Sequence, residues 1–171
     1  ASGQVQSIGL ANNHMCRSTM LDSEAWGKPR DLEQFPSPHG NGYWTQAIYY
    51  QLLNAGLRLP PSAGSASGVL PNPVGYNRVY VYVGDRVSYQ DWWNALSAGR
   101  CMVSNGPLLI CRADGELPGH VFQLAKPRKI VIELELWSVD PVPAIEIVQN
   151  GQVVETVPWD ADDPSPRRVE L

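Results

Sequence analysis

The chain lacks several features that would place it in a common functional class. No apolar run approaches the roughly 18 residues of a membrane-spanning helix. The formal net charge is -4, and the basic residues are scattered rather than gathered in a stripe. Proteins that bind nucleic acid need such a stripe to neutralise phosphates. We therefore expect neither a membrane span nor a nucleic-acid partner.

Cysteine is also scarce, with Cys16, Cys101 and Cys111 making an odd number. The chain has no CxxC spacing, which argues against a zinc knuckle or a thioredoxin-type motif. We predict buried free thiols, with one disulfide and one free cysteine as the alternative. None of the three stands beside a His in an evident catalytic motif.

A signal peptide with a basic start and an apolar core is missing as well. The chain begins Ala-Ser-Gly-Gln rather than with Met, which we interpret as an internal cut or a processed end. The missing signal therefore leaves the compartment of the parent protein open.

What the chain does contain is enough apolar material for a core. Apolar residues make up 43% and charged residues 18% of its 171 residues, which is typical of a globular protein. That length suits one domain or two small ones.

The first hundred residues predict strands and helices in alternation. Thr45 and Ser88 suit N-caps, and Gly56 and Gly99 stand where a left-handed residue ends a helix. We expect the aromatic residues of both helices to lie in the core. The predicted elements are a strand at Val5–Ala11, an irregular segment at 15–43, a helix at Thr45–Ala55, a strand at Arg78–Val83 and a helix at Ser88–Ala98.

The remaining residues predict strands. Apolar residues alternate with Glu133 and Glu135, which indicates one buried and one solvated face. Asn150-Gly151 lies between two apolar runs and predicts a hairpin with a type I′ turn. We expect an antiparallel sandwich. Its predicted strands are Cys101–Val103, Leu108–Arg112, Ile130–Trp137, Ile145–Val148 and Val153–Val157, with a further strand starting at Arg168.

The segment from Leu52 to Val83 is the most informative part of the chain. It combines a helix end, an uncharged loop rich in Gly, Ser and Pro, and a strand. Many α/β proteins place ligands or metals in such a loop. Here the loop offers backbone groups, hydroxyls and Asn72, but no carboxylate and no His.

Four motifs then follow one another in a specific order: LLNAGLRLPPSAGS, GYNRVYVYV, WWNALSAGRCMVSNGPLL and ADGELPGHVF. In this order they resemble the C-terminal part of CehA/McbA-type metallohydrolases, relatives of the PHP (polymerase and histidinol phosphatase) superfamily. The resemblance covers roughly residues 6 to 157. It implies an α+β fold, in which residues 1–100 are the C-terminal part of a PHP-like β/α barrel. Residues 101–171 would form an incomplete Ig-like β-sandwich.

The same resemblance implies a defect in the site. In that family the small loop reads Gly-Ser-Asp-x-His, and its Asp and His bind metal at the end of a barrel strand. Here Ala66 takes the Asp position and Gly68 the His position. Neither side chain can ligate a divalent cation. The family's early His-x-His motif is absent too, so we expect no complete metal site in this chain.

Five residues remain as candidates for the chemistry. His14, after a predicted strand, is the candidate metal ligand and catalytic base; the alternative is a His bonded to its loop or to solvent. Arg78 is a second catalytic candidate, since its planar fork suits phosphate or carboxylate; the alternative is a salt bridge or bonds to loop carbonyls. Asn13, His39 and Ser65 are candidate substrate-binding residues.

Two functions follow from these expectations. The first is a fragment of a PHP-like metal-dependent hydrolase of phosphoester, ester or carbamate substrates, using a metal-bound hydroxide. Zinc or manganese would be held by the full-length protein. The second is a catalytically degenerate PHP-like scaffold whose β-sandwich serves binding or interaction.

The partners implied are the remainder of the parent chain and a small-molecule substrate. Self-association is also expected, because a partial barrel leaves strand edges open. The resemblance allows a secreted or periplasmic location in a bacterium.

Overall fold

The computed structural model describes residues 5–11, 30–37, 39–65, 67, 73–160, 162–163 and 165–171. Within this part the protein is mixed α+β, as expected, with more strand than helix, and no sheet closes into a barrel. The elements are β1 Ile8–Ala11, α1 Gly40–Asn54, β2 Pro61–Ala63, β3 Arg78–Val81, α2 Tyr89–Ser97, β4 Cys101–Ser104, β5 Leu108–Ala113, β6 Val131–Trp137, β7 Ala144–Gln149, β8 Gln152–Pro158 and β9 Arg167–Glu170.

The chain divides into two compact units. Unit 1 comprises Ala1–Val79 with Val103–Asn105, and unit 2 comprises Tyr80–Met102 with Gly106–Leu171. The two domains expected from the sequence, residues 1–100 and 101–171, stay a prediction.

Unit 1 contains a parallel strand pair. β1 pairs with β2 in the register Ile8 to Pro61 and Gly9 to Ser62. α1 lies between the two strands in the sequence and contacts β1. Parallel strands need a crossover connection, usually a helix. The β1–α1–β2 order is therefore a strand–helix–strand unit of the kind from which β/α folds are built.

The start of α1 differs from the prediction. The helix begins at Gly40, and Thr45, expected as N-cap, lies inside it with its hydroxyl donating to the Asn41 carbonyl at 2.9 Å. A Cβ on Gly40 would lie 2.0 Å from the Phe35 carbonyl oxygen. Glycine is thus present because the backbones approach closely, and its weak helix propensity is overridden by this packing.

The C-terminal end of α1 is as predicted. Gly56 has φ +81°, and its N–H donates to the Leu53 carbonyl at 2.9 Å. The Leu57 N–H donates to the Leu52 carbonyl at 3.0 Å. This pair of bonds is a Schellman motif, which satisfies the last carbonyls of the helix.

In unit 2, α2 confirms its predicted caps. The Asp91 N–H donates to the Ser88 hydroxyl at 3.1 Å, and Gly99 ends the helix with φ +74°. The expectation that its aromatic residues lie in the core was wrong for two of them, since Tyr89 is 80% and Trp93 41% exposed. Ala95 and Leu96 occupy the buried positions instead.

Two antiparallel sheets supply the main core of unit 2. One has the order β5-β6-β9 and the other pairs β7 with β8. The predicted hairpin is confirmed, because Asn150 and Gly151 have φ of 53° and 79°. The core joins buried residues of both sheets with Trp159, which follows β8; the sheet residues are Leu134, Leu136, Ile145 and Val157. The inward face predicted for β6 is therefore correct, while an Ig-like topology stays a prediction.

The predicted strand near the C-terminus is present as β9. It pairs with β6 in the register Ile132 to Val169 and Glu133 to Arg168. A further pair is formed by β3 with β4. Neither α1 nor α2, the helices of the described residues, is long and apolar enough to cross a membrane.

Candidate functional site

The carboxyl ends of β1 and β2 define the edge where the predicted site belongs. Ala11 pairs with Ala63, and the Gly64 N–H donates to the Ala11 carbonyl at 2.9 Å. Because the strands are parallel, both leave the pair at this same edge. The two segments singled out in the sequence, 12–14 and 64–68, follow directly from it in the chain. We call the positions Ala11, Ala63, Gly64 and Ser65 the carboxyl edge.

A buried polar network closes the loop at the carboxyl edge. The backbone N–H of Asn77 donates to the Ser65 hydroxyl at 2.9 Å, and the Asn77 side-chain amide donates to the Gly64 carbonyl at 3.0 Å. Ser65 is 9% and Asn77 4% exposed. The network ties the small loop to the residue that precedes β3.

Asn77 is a residue that sequence reasoning missed. Its only signal was its type, because Asn side chains commonly bond to nearby loop backbone. Its partners stand 12 and 13 positions earlier in the chain. No local pattern identifies partners so distant.

Arg30 was missed as well. It is 5% exposed, and its guanidinium donates to the Ser37 hydroxyl at 3.5 Å. A Cβ on Gly40 would lie 2.9 Å from its Nη1 atom, so the guanidinium lies against the first turn of α1. The Asp31 carboxylate accepts from the N–H groups of Glu33 and Gln34. Both residues therefore shape the turn before α1.

The predicted site residues are only partly brought together. Ser65 is buried in the network, and Arg78 follows Asn77 directly and is exposed as the first residue of β3. His39 is exposed and precedes α1 as its N-cap, without a side-chain capping bond. His14 and Asn13 lie outside the described residues, as do Ala66 and Gly68.

The described residues do not fit a metal ion. Across the described ranges, no group of three or more His, Cys, Asp or Glu side chains lies close enough to hold one. At the carboxyl edge, the Ser65 hydroxyl and the Gly64 carbonyl both take hydrogen bonds from Asn77. We therefore derive no catalytic step through a metal from this part of the chain.

For Cys101 and Cys111, the prediction that the thiols are not in a disulfide is confirmed. Cys101 is buried and Cys111 half-buried, and neither forms a disulfide. Burial raises the pKa of both thiols above the usual value, which disfavours the reactive thiolate. Cys16 lies outside the described residues.

Comparison with known proteins returned no family model, no curated protein and no solved structure that matches the chain. Residues and geometry alone therefore carry the functional argument.

Proposed function

We propose that the chain is part of a PHP-like metal-dependent hydrolase and itself lacks a complete metal site. The observation that supports this is the parallel β1–β2 pair. Its carboxyl ends lead into the two segments that the resemblance assigns to the active site. Ligand sites in parallel α/β folds lie at this edge.

In this proposal the chain contributes the wall of a site whose other ligands come from the rest of the parent protein. His14 is the one residue offered as a zinc or manganese ligand, since imidazole suits these ions. Arg78 would hold the charged or polarised group of a phosphoester, ester or carbamate through its planar fork. When bound, the metal would supply Lewis-acid activation of water.

A second candidate function is a catalytically degenerate PHP-like scaffold with a binding module. The Ser65–Asn77 network favours this function, because the Ser65 hydroxyl, at the predicted site, is hydrogen-bonded to the backbone of Asn77 and holds the loop. The replacement of the two expected ligands by Ala66 and Gly68 points the same way.

The distinguishing experiment measures metal retention. Wild type, His14→Ala and the matched control His120→Ala are each incubated with zinc or manganese, desalted and analysed by mass spectrometry for metal content. The hydrolase proposal expects His14→Ala to retain less metal than wild type and His120→Ala to retain as much. Equal, substoichiometric metal in all three would remove any metal role for this chain and favour the scaffold.

Activity is the second readout. Release of p-nitrophenol from p-nitrophenyl phosphate and p-nitrophenyl acetate should depend on added metal in the full-length parent protein and fall on His14→Ala. Turnover that is unaffected by both chelator and the substitution would contradict the proposal.

A further inference from the structure

Two adjoining clefts lie at the C-terminal end of α2 in unit 2. Their volumes are ≈ 640 Å³ and ≈ 540 Å³, and Ala98 and Arg100 line both of them. Sites for small molecules commonly enclose about 300–1,000 Å³. We call the two together the arginine cleft, because Arg86, Arg100 and Arg112 line it.

The arginines of unit 2 fall into two sets. Three lie against carboxylates in ion pairs: Arg128 with Asp114, Arg167 with Asp163 and Arg168 with Glu133. The other three are those of the arginine cleft, and within the described ranges none of them has a carboxylate within 4.0 Å. Within the described part of unit 2, the arginines without a carboxylate partner are therefore the ones that line a cavity.

The two acidic residues that line the cleft, Asp91 and Glu116, form no ion pair with these arginines. The Asp91 carboxylate accepts from the Ser88 hydroxyl at 2.6 Å. The Glu116 carboxylate lies 3.4 Å from Nδ1 of His120. Each acid therefore contacts a neighbour on its own segment rather than one of the three guanidinium groups.

The cleft is also held in shape by its backbone. Arg100 donates its N–H to the Ala95 carbonyl at 3.0 Å and accepts at its own carbonyl from the Tyr82 N–H at 2.8 Å. Opposite, a Cβ on Gly119 would lie 2.0 Å from the Ala98 carbonyl oxygen, so loop 115–120 fits closely against the end of α2.

One further hydrogen bond orients the side chain of Arg112. The Arg112 guanidinium donates to the Gly115 carbonyl at 3.1 Å, which uses one of its five N–H groups. The other N–H groups have no hydrogen-bond partner among the residues that the structure describes, and a guanidinium presents such groups in a plane that matches two oxygens at once.

We propose that the arginine cleft binds a small molecule through an oxyanion, either a phosphate monoester or a carboxylate. Oxyanions are the groups that planar guanidinium forks hold by paired, charge-assisted hydrogen bonds. The whole chain is acidic, at a net charge of -4, so the attraction arises from these side chains rather than from a general positive field. The proposal concerns unit 2 and does not depend on a metal site in unit 1.

Calorimetric titration with inorganic phosphate and with succinate at low ionic strength tests the proposal and separates its two sources. Saturable binding of phosphate alone points to a phosphate ester, and of succinate alone to a carboxylate; either supports an oxyanion site. Raising the salt concentration should weaken the binding, because the arginines are exposed. Absence of saturable binding for both probes overturns the proposal.

The variants are Arg100→Gln, Arg112→Gln and the double variant, with Arg168→Gln as a control of equal charge change. Each cleft substitution should weaken binding by about fivefold, the upper range for an exposed ion pair, and the control should match wild type. Arg100→Lys keeps the charge without the fork and should recover part of the affinity. Circular dichroism verifies folding. If the double variant and Arg168→Gln bind equally, the cleft is not the site.

Discussion

The Ser65 hydroxyl offers the most direct test of how the carboxyl edge is built. In Ser65→Ala the Asn77 N–H loses the acceptor that lies 2.9 Å away, in surroundings where Asn77 is 4% exposed. The weaker bond from the hydroxyl to the Asn77 carbonyl, at 3.4 Å, is lost with it. The substitution leaves the backbone and the Cβ unchanged.

The magnitude follows from the burial of the donor. Leaving a buried N–H without its acceptor costs about 1–3 kcal/mol. With a urea dependence of about 1–3 kcal/mol per molar, the midpoint of unfolding should fall by roughly 1 M. Ser67→Ala is the matched control, because Ser67 stands in the same loop and is exposed. A surface change of that kind stays within about 0.5 kcal/mol.

Hydrogen exchange locates the effect. The Asn77 amide should exchange faster in Ser65→Ala than in wild type, while amides of the β7–β8 hairpin in unit 2 keep their rates. Unchanged exchange at Asn77 together with an unchanged urea midpoint would refute the structural role. A loss of substrate affinity without any loss of stability would instead return Ser65 to the binding role predicted from the sequence.

Three further outcomes are expected. Gly119→Ala should lower the free energy of unfolding by about 3 kcal/mol or more, because φ is +87° and the added Cβ would meet backbone atoms. A thermal melt measures this loss. Gly84→Ala, where a Cβ would have nothing within 4 Å, is the control, and a similar loss of stability there would contradict the packing argument. The Val131 N–H and then Arg128 hold the pKa of Asp114 below its ordinary 3.8. The ionised Asp114 carboxylate therefore stabilises the fold above pH 3.8, and this stabilisation is lost as the pH falls through the lower pKa of the folded state. In that pH range the urea midpoint of Asp114→Asn should depend less on pH than the urea midpoint of wild type. The two described cysteines should react with a thiol reagent more slowly in the folded than in the urea-unfolded chain, since burial raises the pKa of each; equal rates would contradict their burial.

Features set by neighbours in the chain were predictable. The Ser88 cap, the Gly56 helix end and the Asn150-Gly151 turn each depend on residues within a few positions. Their chemistry is complete inside one short segment: a hydroxyl accepts from an N–H three residues on, or a glycine adopts a positive φ. The alternation in β6 was equally readable, because a strand with one buried face repeats every two residues.

Features set by packing were not predictable from local pattern. The sequence predicted an irregular segment at 15–43, yet Gly40 and Gly42 lie in α1 because other parts of unit 1 cover its first turn. The aromatic residues of α2 were expected in the core, yet Ala95 and Leu96 take the buried positions, and Tyr89 is 80% and Trp93 41% exposed. In both helices the neighbouring surface decided the outcome.

The sequence by itself determined the loop of small residues, the absence of carboxylate and His within it, and the ends of most elements. Only the tertiary structure decided that Asn77 fastens this loop. It also decided that Arg128, Arg167 and Arg168 have carboxylate partners, while the arginines of the cleft have none among the described residues. Arg128 and Arg168 lie 14 and 35 positions from their partners. Residue type establishes which groups can bond, but the fold brings distant groups within hydrogen-bonding distance and so selects which of them do.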